Sequence, residues 1–406
     1  MRSPRIALAL ALAACGGVAS TAPDAGTASD VAPAADAPAP GDAAPDAAAA
    51  ACDISGFAFT PVATTRTTIL PSDTAQGQEV IHDTLQGTLK RHVLVAPTNP
   101  AERNGLLFLW MSGSGAEPTS YDTIQAIAAA AGYPSISLAY DNETSVGDLC
   151  SVPGDPQCGL TTVDCEEGVR EEMIYGSAVH DSPCVDVPPA DAIEHRVLRL
   201  LQYLAINAPA TGAAAFLTNN GTAIDWTKIA VGGWSQGGGH AGMIARDHLV
   251  ARALYASKGA SSVACPYTVS DPAMCDLDGD HQLTPGNQDE LLVPAPWTLQ
   301  PRATPGSREF GAIHREEEAF NYSRETFERF GMGTKGDEID LDTAGADFAA
   351  YGCRHVFATS ATPGCDPTAF HKSMAMDVCL ARDANDLAIL APAYYYALKL
   401  PVPPVP

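Results

Sequence analysis

Basic residues are scarce in this chain. Its 406 residues include 23 Lys and Arg against 48 Asp and Glu, a formal net charge of -25. A surface that acidic argues against nucleic acid as a partner and against direct docking on anionic lipid; its ordinary consequence is solubility. Charge of both signs is also thin, at 17% of residues against 46% hydrophobic, which is typical of a chain with a substantial core. No Cys-x-x-Cys pair occurs, so zinc-ribbon and thioredoxin-like chemistry are poor fits. No internal repeat is visible. The N-terminal apolar run, Ile6 to Ala14, is too short to span a bilayer.

That run nevertheless has a meaning. Arg2 and Arg5 precede it and small residues close it, the pattern of an export signal. It ends Leu12-Ala13-Ala14-Cys15, which looks like a bacterial lipobox, so residues 1–15 are expected to be a lipoprotein signal with Cys15 as the lipid anchor. Gly16 follows, where an aspartate would hint at inner-membrane retention; the outer membrane or cell surface is the expected location. Residues 16–51 are nearly all Ala, Pro, Asp, Gly, Ser and Thr. They cannot bury enough apolar surface to offset chain entropy and read as a disordered acidic tether.

Residues 52–406 are long enough for one large domain with insertions. With Cys15 set aside, ten cysteines remain, an even number that reads as disulfides in an exported protein. Local spacing favours bridges within 150–184, between Cys265 and Cys275, and between Cys353 and Cys365.

From residue 85 strands and helices alternate. Short apolar runs at 92–97, 105–110, 134–140, 228–232, 251–257, 308–314 and 354–359 read as strands. Helices are expected over "SYDTIQAIAAAAGY", over 190–208, after the glycine turn at 233–239, and over 376–400. Polar, irregular segments at about 141–189 and 258–307 read as disulfide-containing insertions, the first as a lid over the sheet. This alternation implies an α/β fold with a mostly parallel sheet covered on both faces.

Gly233-Trp234-Ser235-Gln236-Gly237 fits G-x-S-x-G. The pentapeptide alone recurs by chance, but here it follows an apolar strand and opens a helix, the setting of a nucleophile elbow. There a sharp turn presents the serine hydroxyl, and flanking glycines remove side chains that would clash. Gly237, Gly238, Gly239, Ala241 and Gly242 let the helix lie close to the sheet. A serine needs a base, and the base needs an orienting acid, in chain order Ser, acid, His. Beyond the acid only His355 and His371 remain. His355 starts the last strand, on the side away from the site; His371 lies in the loop after it, where such sites gather. The acid is read as Glu317, with Glu316, Glu318 and Asp337 as alternatives. Oxyanion donors are expected from the backbone N–H of Gln236 and, in the glycine-rich loop "MSGSGAEP", of Ser114. His240, on the helix after the elbow, reads as a packing residue.

The stretches "LLFLWMSGSGAEPTSY", "SISLAYDN", "AIEHRVLRLLQYL", "GGWSQGGGHAGMIARDH", "PAPW" and "FGAIHREEEAF" together resemble the α/β-hydrolase superfamily. They are more closely similar to exported bacterial serine esterases with an S-Q-G-G-G-H elbow. The resemblance covers roughly residues 90–400 and implies a Ser-acid-His triad with the acid three residues after the strand-end His314, which is Glu317. Trp234 stands where related sequences usually show His, and glutamate replaces the more usual aspartate. The resemblance implies hydrolysis of a small-molecule or polymeric carboxylic ester, with no organic cofactor.

Asp276, Asp278 and Asp280 are spaced like positions 1, 3 and 5 of an EF-hand-type loop, with Gln282 supplying a carbonyl, Leu283 the inward apolar residue and Asn287 the twelfth position. His281 replaces the turn glycine and Asn287 the bidentate glutamate. A structural calcium is the expectation. A non-catalytic, calcium-stabilised surface binding protein on the same fold is the rival reading.

Overall fold

The apolar runs become the strands of one sheet. The computed structural model describes residue 54 and residues 56–85, 87–152, 155–159, 164–259, 262–264 and 292–401. In chain order the strands are β1 (Thr64–Ile69), β2 (His92–Pro97), β3 (Leu107–Met111), β4 (Ser135–Leu138), β5 (Ile229–Trp234), β6 (Arg252–Ala256), β7 (Glu309–His314), β8 (Ile339–Asp340) and β9 (Val356–Thr359). Their order across the sheet is β1-β2-β4-β3-β5-β6-β7-β9-β8. β2 runs antiparallel to both neighbours, and every pairing from β4 onward is parallel. With helices on both faces this is an α/β-hydrolase fold.

Alternation along β3 sorts side chains between two cores. Leu107, Leu109 and Met111 join one apolar cluster, with Ile229 and Val231 of β5. Phe108 and Trp110 point the other way, into a cluster with Ala230. On the first face packs α3 (Ile193–Asn207), which buries Ile193, Val197, Leu200, Leu201 and Leu204 as its periodicity implied. Each of those side chains contributes on the order of 1.5–3 kcal/mol by leaving water. On the second face α1 (Asp122–Ala130) packs against α6 (Ala391–Lys399). α4 (Gln236–Asp247) follows β5, and α5 (Phe320–Arg329) follows β7. Among the described residues no helix is long and apolar enough to cross a membrane.

Four expectations need correction. The segment 141–189 is not irregular throughout: it holds α2 (Cys165–Tyr175), which buries Val169, Met173 and Ile174. Its polar residues hid the periodicity because three of the buried ones are charged, Glu166, Arg170 and Glu172. Cys150–Cys165 and Cys158–Cys184 bridge this segment. Cys365 pairs with Cys379 and not with Cys353, which is bonded elsewhere. The loop after β9 folds back, bringing the Cα atoms of Cys365 and Cys379 to 4.5 Å. The closing helix is also shorter than expected. Asp383 caps a turn by accepting from Asn385 and Leu387 N–H, Asp386 has φ 62°, and helix starts only at Ala391 with Pro392 in its first turn. Lastly, the edge strands β1 and β8 carry too little apolar pattern to be read from sequence. Cys265 and Cys275 lie outside the described residues, as do Cys15 and the tether.

Candidate active site

Ser235 sits between β5 and α4 with φ 55° and ψ -118°, a conformation an L-residue adopts only at a cost of about 1–3 kcal/mol. It is held there by its own N–H donating to Ala256 O at 3.0 Å and by Gly239 N–H donating to its carbonyl at 3.1 Å. The turn needs glycine on both sides. A Cβ at Gly233 would lie 2.2 Å from the Gly237 carbonyl carbon, and one at Gly237 would lie 2.1 Å from Met111 O.

The turn opens into a cavity of about 540 Å³ lined by Ser235, His371 and Glu317 together with Ser114 and Gln236. His371 Nδ1 and Glu317 Oε1 are 2.5 Å apart. The Glu317 side chain is 5% exposed and the His371 side chain 38%. Glu316 and Glu318 are exposed, so of the three consecutive glutamates only Glu317 is buried, and it is the one that meets His371. Glu317 N–H donates to His314 O at 3.1 Å, and Glu316 N–H donates to His314 Nδ1 at 3.1 Å. Asp337 is exposed and accepts from Thr334 Oγ1 at 2.5 Å. His355 stacks on Phe310 and donates its Nδ1–H to Glu309 O, 2.8 Å away.

Two neighbours of His371 had no sequence signal. The Trp234 ring packs on the imidazole with centroids 4.8 Å apart, and Trp234 Nε1–H donates to His371 O at 2.8 Å. Ser257, with φ 60°, donates its hydroxyl to the same carbonyl at 3.3 Å.

Gln236 is the first residue of α4, so its N–H has no helical partner. Ser114 Oγ–H donates to Gln236 Oε1 at 2.6 Å, and Arg170 donates to Gln236 O at 3.0 Å. The Ser114 loop is pinned by Asn142, whose amide donates to Gly113 O at 2.5 Å and Ala116 O at 3.0 Å. Asn142 O accepts from Gly115 N–H at 2.6 Å. The buried Lys90 ammonium donates to the Asn142 side-chain oxygen and pairs with Glu143 at 2.6 Å. A polar pair at the end of an apolar strand, "AYDN", is the one trace of this clamp in the sequence.

His240 is buried with its ring edge-on to Tyr140, centroids 5.4 Å apart, and burial together with Arg170 holds its pKa well below the usual histidine value. Asp276, Asp278, Asp280, Gln282 and Asn287 lie outside the described residues. Among the described residues no group of three or more His, Cys, Asp and Glu is arranged to hold a metal.

No protein-family model matches the chain, and no curated protein matches it. Solved structures do. The AtxE2 isopeptidase is similar at 12% identity over 84% of this chain with a TM-score of 0.32, and the match spans only 39% of that protein's length. Carboxyl esterase 2 from the mycorrhizal fungus Tuber melanosporum is similar at 12% identity, over 86% of this chain and 88% of that one, with a TM-score of 0.35. A Pyrobaculum calidifontis esterase is similar at 14% identity, over 84% and 86%, with a TM-score of 0.31.

Proposed function

We propose that this protein is a serine hydrolase that cleaves carboxylic esters through an acyl-enzyme. The observation that carries the reading is a strained serine at a strand-to-helix turn sharing one cavity with a hydrogen-bonded His371–Glu317 pair. In this reading Glu317 accepts from the Nδ1–H of His371, which leaves Nε2 free to take the Ser235 proton. Ser235 Oγ attacks the acyl carbon, and the backbone N–H groups of Gln236 and Ser114 stabilise the oxyanion. The intermediate collapses as His371 returns its proton to the departing alkoxide, releasing the alcohol. Water then attacks the acyl-Ser235 ester as His371 takes its proton, and His371 returns that proton to Ser235 Oγ as the carboxylic acid leaves.

Export, and anchoring through Cys15, belong to the same proposal and rest on the N-terminal sequence alone. The decisive test is labelling by a fluorophosphonate probe followed by peptide mapping. An adduct on Ser235, lost in Ser235→Ala, is expected; a folded protein that takes no label would leave the non-catalytic binding protein as the better reading.

A further inference from the structure

The cavity holding Ser235 and His371 has two cationic residues in its lining. Arg170, from α2, and Lys258, two residues beyond β6, line it together with Ser235. Arg170 is committed to the protein. It donates to Gln236 O at 3.0 Å, lies 4.0 Å from Glu166, and fills the space that a Cβ at Gly239 would need.

Lys258 is different. Its ammonium lies 5.5 Å from the Tyr322 ring centroid, and among the described residues it has no hydrogen-bond acceptor. Burial lowers its pKa below the usual lysine value, against the opposing pull of Glu166 and with the help of Arg170. Lys258 is half-buried, and its ammonium offers three donors to a group that enters the cavity it lines.

Charge decides what kind of acceptor fits. Glu166 and Glu317 pull on Lys258 and Glu166 on Arg170, so these cations are balanced without a ligand. Glu316 and Glu318, both exposed, line the same cavity and oppose an entering anion. A neutral oxygen meets neither obstacle.

We propose that Lys258 is a substrate-binding and specificity residue whose ammonium donates to a neutral hydroxyl or carbonyl oxygen of the ester, away from the scissile group. The site then selects oxygen-bearing esters over plain alkyl esters. This rests on the hydrolase reading above.

The experiment compares glyceryl monobutyrate with 2-methylbutyl butyrate, which has the same acyl group and a similar shape without the hydroxyls. 3-Butyryloxypropanoate serves as an anionic third ester. Wild-type kcat/KM is expected to favour the glyceryl ester over the alkyl ester by about 10- to 100-fold, the worth of one hydrogen bond to a charged donor. In Lys258→Met, and in Lys258→Gln should the first not fold, that ratio is expected to fall towards one. A wild-type ratio of one, a ratio that survives both variants, or a Lys258-dependent preference for the anionic ester over the glyceryl ester would each overturn the proposal. If no ester is cleaved and Ser235 takes no fluorophosphonate label, it is the hydrolase reading that fails.

Discussion

Replacing Glu317 by glutamine tests the candidate triad at its least obvious member. The change keeps the side chain's shape and removes its charge. Glu317 Oε1 lies 2.5 Å from His371 Nδ1, while Oε2 is buried without a hydrogen-bond partner. A glutamine there gains most by turning its NH2 towards Nδ1, since nothing else nearby completes the amide. Nδ1 must then accept, the imidazole proton moves to Nε2, and the base can no longer receive the Ser235 proton. A wrong tautomer of this kind in a serine triad lowers kcat about 10⁴-fold, close to 5.5 kcal/mol of transition-state stabilisation. Glu316→Gln is the control, because that side chain is exposed and its backbone alone contacts His314. The assay is steady-state hydrolysis of p-nitrophenyl butyrate, read beside the rate of fluorophosphonate labelling and thermal unfolding of each variant. Collapse of kcat is expected in Glu317→Gln only, with folding retained. Were Glu316→Gln the variant that lost turnover, the assignment of the acid would be wrong.

Asn142→Ala should act through the Ser114 loop, since it deletes the side-chain bonds to Gly113 O and Ala116 O and the acceptor used by buried Lys90. A shift of about 1 Å in an oxyanion donor costs about 100-fold in kcat, with KM little affected; a change confined to KM in initial-rate measurements would contradict it. A different region should show in acid. His92 is buried in β2 and accepts from Ala139 N–H at 3.1 Å, and burial, helped by Arg196, lowers its pKa to about 3. A histidine depressed in the folded state favours the unfolded chain once pH drops below the unfolded value near 6.5. Its stability contribution is therefore full above that pH and is lost on the way down to about 3. Between pH 7 and pH 5 this amounts to about 2 kcal/mol. His92→Asn places an oxygen near the Nδ1 position and does not titrate, so its urea-unfolding free energy should fall less over that interval by about that amount. An unchanged pH slope would refute the linkage.

Much of the sheet was legible because buried parallel strands advertise themselves. β3 and β5 are continuous apolar runs, β2, β6 and β7 are apolar apart from end residues, and α3 shows its face through Ile193, Val197, Leu200 and Leu201. What escaped was apolar in effect but polar in composition. α2 buries Arg170 and Glu172, whose carboxylate caps the N–H groups of Ser182 and Val187, a contact that no periodicity reports. The elbow was readable from a local motif, because its constraint is local backbone geometry. The Asn142 clamp joins segments 26 and 29 residues apart, and Lys258 reaches the cavity only because β6 lies next to β5. Relations of that kind belong to the topology and leave no spacing in the chain.

The histidine shows what the fold must solve that a motif cannot. In the proposed mechanism the base has to meet substrate in an open cavity, so its ring cannot be buried, and the His371 side chain is 38% exposed. Burial is then unavailable as a way of fixing it. The backbone is fixed instead: Trp234 Nε1–H and Ser257 Oγ–H both donate to the His371 carbonyl, and the loop that carries it is closed by Cys365–Cys379. Trp234 precedes Ser235, and Ser257 follows β6, whose Ala256 carbonyl holds the Ser235 N–H. The residues that orient the serine and those that tether the histidine are thus the same two strand ends. A tryptophan at the first variable position of the elbow acquires a reason here, because its ring packs on the imidazole face while its N–H holds the carbonyl behind it. Movement of the Ser235 turn would carry His371 with it, which in the proposed mechanism keeps the two groups in register without requiring either to be buried.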